Sequence, residues 1–160
     1  MEENTPSLRA LGENLKYLQM CENVTRECFA KKLGYDRVDY GKLLWGEKNI
    51  RLNTAERIAA RTGFALSALV DTSFTDDAEY RNKYSYKEIN TLSVFLQAVN
   101  NQMNLRRITM SDISQHLEMD KAELSRILNG QIKNPTLKTL DMISIAIGCR
   151  LSELLREESK

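Results

Sequence analysis

An all-α fold is predicted by three observations: few chain-breaking residues, apolar positions at helical spacing, and cap and glycine positions that recur along the chain. The 160 residues include only 7 glycines and 2 prolines, fewer than the turns of a β-sandwich would need. Apolar residues make up 42%, enough for a globular core and above what a disordered chain carries. Lys+Arg is 23 and Asp+Glu is 22, a net charge of +1. That balance excludes a polybasic, histone-like mode of nucleic-acid binding and leaves room for a local basic patch. No apolar run approaches the roughly 18 residues of a membrane span. The stretch from Met1 to Arg9 lacks the charged-then-apolar order of a signal peptide. Cys21, Cys28 and Cys149 are odd in number, form no CxxC and share the chain with one histidine, His116. They are expected as core or buried-edge thiols in a reducing cytosol, without metal or cofactor. The expectation is a soluble, cytoplasmic protein.

Self-comparison gives the organisation. At a shift of 84 positions Thr25 falls on Thr109, Leu33 on Leu117, Asp36 on Asp120, Leu44 on Leu128 and Gly46 on Gly130. After a one-residue gap the shift is 85, and Leu52 meets Leu137, Thr54 meets Thr139, Ile58 meets Ile143 and Gly63 meets Gly148. The coincidences fall on apolar, capping and turn positions in one order. They predict two tandem five-helix modules, in residues 1–72 and 87–160, each folding independently, with a linker at 73–86. The linker carries Phe74, Tyr80 and Tyr84, unlike a Gly/Ser tether, so it is expected to pack on a module.

Each helix has its own signal. Leu8, Leu11, Leu15 and Leu18 mark the first, and Leu92, Phe95 and Val99 mark its counterpart. Ser85 with Glu88 resembles a capping box before that counterpart. Thr25 and Thr109 are expected to cap the second helices, Asp112 completing a box in the later copy. Phe29 with Leu33, and Ile113 with Leu117, give those helices their buried pairs. Asp36 and Asp120 are expected to cap the third helices, whose inner faces are Tyr40, Leu43 and Leu44, and Leu124, Ile127 and Leu128. Gly46 and Gly130 close them. Ile58, or Leu140 and Ile143, fix the fourth helices. Leu66 and Leu69, or Leu151, Leu154 and Leu155, form short fifth ones.

From Ile108 to Leu140 these features resemble the Cro and phage-repressor (XRE-type) helix-turn-helix family. An apolar residue and Thr109 precede a short helix and a tight turn. Asp120 then caps a helix with Leu124-Ser125-Arg126 at its middle, followed by Asn129-Gly130 and a helix led by Pro135. The first copy departs from the pattern: Gly41 stands for the usual serine, Trp45 for the polar residue before the glycine, and no proline leads its fourth helix. The resemblance covers about nine tenths of the chain. It implies two lambda-repressor-like domains whose third helices enter the DNA major groove.

With the apolar face turned inward, the outward face in the second copy is Lys121, Ala122, Ser125, Arg126 and Asn129. In the first copy it is Arg37, Val38, Gly41, Lys42 and Trp45. Arg and Lys can donate two bonds to guanine O6 and N7, and Ala122 and Val38 suit a thymine methyl. Arg37, Val38, Lys42, Lys121, Ala122, Ser125, Arg126 and Asn129 are therefore the candidate base readers. Asp39 and Glu123 either accept from cytosine N4 or complete caps at their helix starts. The phosphate candidates are Thr25, Arg26, Arg106, Arg107, Thr109, Met110, Lys133, Asn134 and Lys138, because helix N-termini and flanking cations favour anions. His116 reads as a surface residue.

No nucleophile elbow, phosphate loop or acid–base pair argues for an enzyme. The reading is a sequence-specific DNA-binding transcriptional regulator, a repressor by resemblance, with double-stranded DNA as partner and a homodimer as one option. The alternative is an antitoxin-like or anti-repressor-like module whose first copy uses Trp45, Gly41 and Tyr40 on a protein partner or for self-association.

Overall fold

A computed structural model describes residues 5–157; residues 1–4, part of the N-terminal stretch read against a signal peptide, lie outside them. The described residues are all-helical, without a strand. In order they form α1 (Pro6–Glu22), α2 (Arg26–Leu33), α3 (Arg37–Leu44), α4 (Leu52–Thr62), α5 (Leu66–Leu69) and α6 (Ala78–Lys83). α7 (Thr91–Arg106), α8 (Met110–Leu117), α9 (Lys121–Leu128), α10 (Leu137–Ala146) and α11 (Leu151–Leu154) follow. Helix lengths of 17, 8, 8, 11 and 4 in α1–α5 are followed, after α6, by 16, 8, 8, 10 and 4 in α7–α11. No described helix is long and apolar enough to cross a membrane.

Local chemistry sets the boundaries. Pro6 opens α1, where its missing N–H is not needed, and Asn23 in the left-handed region (φ 53°) stops it. Thr25 caps α2 by accepting the Cys28 N–H, and Asp36 caps α3 by accepting the Asp39 N–H. Thr109 and Asp112 form a reciprocal box at α8, and Asp120 accepts the Ala122 N–H at α9. No box forms at α7 where the sequence places one. Asn90 is the cap, accepting the Ser93 N–H, while Ser85 lies in an isolated antiparallel bridge with Phe64. Backbone pairing of Gly63 with Tyr86 and of Ala65 with Tyr84 holds that segment extended.

The linker is ordered by its aromatics. Phe74 stacks edge-on to Phe64 (4.9 Å), Tyr80 (5.4 Å) and Tyr17 (6.2 Å), and Asp77 caps α6 through the Tyr80 N–H. α6 is a helix beyond those read from the sequence.

The core differs from two separately packed modules. Buried side chains from every helix but α6 form one continuous cluster, on which Tyr80 of α6 packs, with α1 packed on α10 and α5 on α11. Polar bonds tie the same junction. The Leu52 N–H donates to the Pro135 carbonyl and the Leu137 N–H to the Ile50 carbonyl, both at 2.8 Å, around an Arg51–Thr136 bridge. Asn49 Oδ1 accepts the Lys138 N–H at 3.2 Å, and Asn134 Oδ1 accepts the Asn53 N–H at 2.9 Å. The Ser7 hydroxyl donates to Asp141, and the Thr91 hydroxyl donates to Glu56. Arg156 reaches across to Asp71, which is 2% exposed. Burial opposes ionisation of Asp71, but the two Ser73 donors and the Arg156 guanidinium outweigh it and hold the carboxyl below its usual range.

One packing detail separates the halves. A Cβ on Gly12 would lie 2.4 Å from the Leu44 carbonyl oxygen, so only glycine lets α1 approach α3 this closely. At the corresponding position, 84 further on, stands Leu96, whose Cδ1 fills the space beside Gly130. There α7 leaves an open groove of about 940 Å³ against α4 and the end of α9.

Candidate nucleic-acid interface

Two short helices joined by a three-residue turn occur twice, and each pair carries the residues singled out for DNA. In α2–α3 the turn is Gly34-Tyr35-Asp36, and Gly34 takes φ 82°, which glycine adopts without steric cost. In α8–α9 it is Glu118-Met119-Asp120, and Glu118 adopts φ 53° despite its side chain. The turn conformation is kept where the residue suited to it is not.

The inner face of α3 is firmly seated. Tyr40 is fully buried against Phe29, with ring centroids 6.0 Å apart, and its hydroxyl donates to Gln19 at 2.9 Å. Burial pushes the Tyr40 phenol well above its ordinary range, so it stays a neutral donor. Tyr40 therefore cannot contribute to an exposed partner surface, which corrects that part of the alternative reading. On α9, Leu124 and Ile127 are buried, whereas Leu128 is only partly so.

The outer faces are open. Arg37, Val38 and Lys42 on α3, and Lys121, Ala122 and Arg126 on α9, are exposed. Among the described residues, none of Arg37, Lys42, Lys121 and Arg126 is in a salt bridge, so their donors remain available. Asn129 donates to the Ser125 hydroxyl at 3.1 Å, which fixes two candidate readers relative to each other. Trp45, 62% exposed, closes α3 with the Lys16 ammonium 4.7 Å above its ring. Asp39 is paired with Lys48 at 3.2 Å, and no capping box forms at α3.

The phosphate candidates divide by what else they do. Arg26, Arg107, Thr109 and Lys133 are exposed, and Met110 is half-buried at the start of α8. The hydroxyls of Thr25 and Thr109 accept backbone N–H groups as caps. Arg106 is committed to Gln102 and to the Gly148 carbonyl. Asn134 is committed at the junction: its side chain caps α4 and its carbonyl accepts from Arg51. Lys138 is half-buried beside it. The Asn49 and Asn134 bonds were not foreseen, although Lys48-Asn49 and Lys133-Asn134 repeat at a spacing of 85 and carried the signal.

The cysteines depart from expectation. Cys21 and Cys28 are exposed and only Cys149 is partly buried, because the helix faces bearing the first two are turned away from the core. His116 is exposed, as expected. Among the described residues, no cluster of His, Cys, Asp and Glu could hold a metal ion.

Comparison with known proteins adds one finding. Residues 98–158 match the family model of the Cro/C1-type HTH DNA-binding domain, a span running from within α7 past α11. No curated protein and no solved structure matches the chain.

Proposed function

We propose, taking the Cro/C1-type match over residues 98–158 as the premise, that this protein is a sequence-specific DNA-binding transcription regulator. The observation that carries the reading is α9: it lies inside the matched span and presents Lys121, Ala122 and Arg126 outward, with Ser125 half-buried beside them and the helix's cations unpaired among the described residues. In this reading α9 lies in the major groove. Arg126 or Lys121 donates to guanine, and Ala122 meets a thymine methyl. The α2–α3 pair acts as a second helix-turn-helix, with Arg37, Val38 and Lys42 as its readers. Arg26, Arg107, Lys133 and the free N–H groups at the starts of α2 and α8 hold phosphates. Arg106, Asn134 and Lys138 contribute less, because structural bonds or partial burial already hold them. Repression follows from occupancy: a regulator seated on its site excludes other proteins from it.

Affinity measured on a selected duplex and on a scrambled one tests this reading. Arg126→Ala should weaken specific binding by about 1–3 kcal/mol and relax preference at one base pair. Lys42→Ala should cost less, because Gly41 leaves the neighbouring position of α3 without a side chain. If about 6–10 phosphates are neutralised, affinity should drop by roughly 10³–10⁵ between about 50 and 200 mM salt. Binding indifferent to salt would contradict the DNA role.

A further inference from the structure

Several of the hydrogen bonds that join the two halves come in reciprocal pairs, although the seat of α1 on α10 has no match between α7 and α4, where the groove lies. Ile50 receives the Leu137 N–H, and Pro135 receives the Leu52 N–H. Asn49 caps α10, and Asn134 caps α4. Ser7 at the start of α1 holds Asp141 on α10, and Thr91 at the start of α7 holds Glu56 on α4. In every pair, one bond becomes the other when each residue is exchanged for the one 84 or 85 positions away. Helix α5 packs on α11, its own counterpart by the same shift, and Arg51 bridges to Thr136, its counterpart again. Bonds that exchange in this way are what an approximate two-fold axis produces, and elements that meet their own counterparts lie on that axis.

We propose that one molecule of this chain is built as a symmetric pair of readers and binds a single DNA site made of two unequal half-sites about one helical turn apart. The proposal rests on the DNA reading given above. A two-fold axis places α3 and α9 at equal height on opposite sides, and a duplex has two-fold axes perpendicular to its length. With the two axes aligned, both helices face one side of the duplex, and the proposal requires them to meet successive major grooves, which on that side are about 34–36 Å apart. The outer faces are not equivalent. α3 offers Arg37, Val38, Gly41 and Lys42, whereas α9 offers Lys121, Ala122, Ser125 and Arg126. The half-sites must then differ in sequence, and the molecule sits on DNA in one orientation. The face that a second copy would need for symmetric pairing, residues 50–52 and 135–137 with α5 and α11, is already occupied within the chain. Leu66, Leu69, Leu151 and Leu154 there are each exposed by 4% or less.

The test uses the full chain and duplexes selected from a random-sequence library. Stoichiometry is read by native mass spectrometry and contact positions by hydroxyl-radical footprinting. One chain per duplex is expected, with two protected patches one turn apart on one face. Palindromes made from either half-site should bind at least roughly 10-fold more weakly, since even one wrong base pair costs about that much. Insertion of half a helical turn at the centre should reduce binding to that of one half-site alone. Two chains per duplex on a palindromic selected sequence, or indifference to the insertion, would overturn the proposal while leaving the DNA reading intact. Failure to enrich any duplex would overturn the DNA reading and the proposal with it.

Discussion

Replacing Gly12 and, separately, Gly41 by alanine should move stability in opposite directions. Both glycines sit inside helices at ordinary backbone angles, so each substitution brings the same intrinsic gain of about 1 kcal/mol in helix propensity. At Gly41 the new methyl meets nothing within 4 Å, and most of that gain should be realised. At Gly12 the methyl would stand 2.4 Å from the Leu44 carbonyl oxygen, 2.8 Å from that of Leu43 and 2.8 Å from the Leu44 carbonyl carbon. Ordinary contact begins at 3.4 Å, so α1 must withdraw from α3 by about 1 Å. All three neighbours are backbone atoms at the end of a helix and cannot rotate aside. The retreat also carries Leu8, Leu11, Leu15 and Leu18 outward, and a gap of about 0.5–1 Å already forfeits a quarter to a half of a dispersion contact. Overpacking of this kind costs about 1–3 kcal/mol, and adding the lost leucine contacts leaves a net loss of about 2 kcal/mol. For a chain of this length 1 kcal/mol corresponds to about 2–4 °C in Tm. Thermal melts followed by circular dichroism should therefore show Gly41→Ala raised by a few degrees and Gly12→Ala lowered by about 4–8 °C. If Gly12→Ala melts as high as Gly41→Ala, the close approach of α1 and α3 is not a constraint and the reasoning fails.

The crossed caps give a second expectation: Asn49→Ala and Asn134→Ala should each cost about 1 kcal/mol, and the double variant more than either, measured by urea unfolding. Unchanged stability in the double variant would show that these bonds do not hold the halves together. Glu56 gives a pH signature. Burial pushes its carboxyl above the usual range, with the Thr91 hydroxyl opposing only in part, so the folded state binds a proton more tightly than the unfolded state does. The contribution is full below the unfolded pKa and is lost as pH rises through the folded value. The stability of Glu56→Gln relative to the parent should accordingly grow as pH rises from about 4 towards neutrality. A difference that stays constant over that window would contradict the shift.

What the sequence revealed was mostly local. Thr25, Asp36, Thr109 and Asp120 act within two or three residues of themselves, so their caps are visible in the letters alone. Ser85 and Glu88 have the same pattern but do not cap α7, because a tertiary pairing with Phe64 claims the backbone there. The Asp77 cap of α6 is equally local, but it stands in a segment whose composition reads as a polar linker, which hides the helix. Contacts such as Ser7 with Asp141 join residues 134 apart and have no local trace. The match covers residues 98–158, the part of the chain whose letters carry the fuller motif, whereas Gly41 and Trp45 stand where the earlier stretch departs from that motif. That Arg37, Val38, Lys42, Lys121, Ala122 and Arg126 stand exposed followed from helical spacing; that Arg106 and Asn134 are already committed depended on neighbours that spacing does not supply.

The pairing of Ile50 and Leu52 with Pro135 and Leu137 has one more consequence, in how the molecule responds to dilution. Two separate subunits meeting through such an edge would come apart as they become scarce, and their joint stability would depend on how much protein is present. Here both sides belong to one chain, so the encounter is intramolecular and its equilibrium is the same at nanomolar as at micromolar concentration. If one chain binds one DNA site, as proposed above, occupancy rises with the first power of its concentration, without the steeper onset that prior assembly imposes. A few copies are as fully assembled as many.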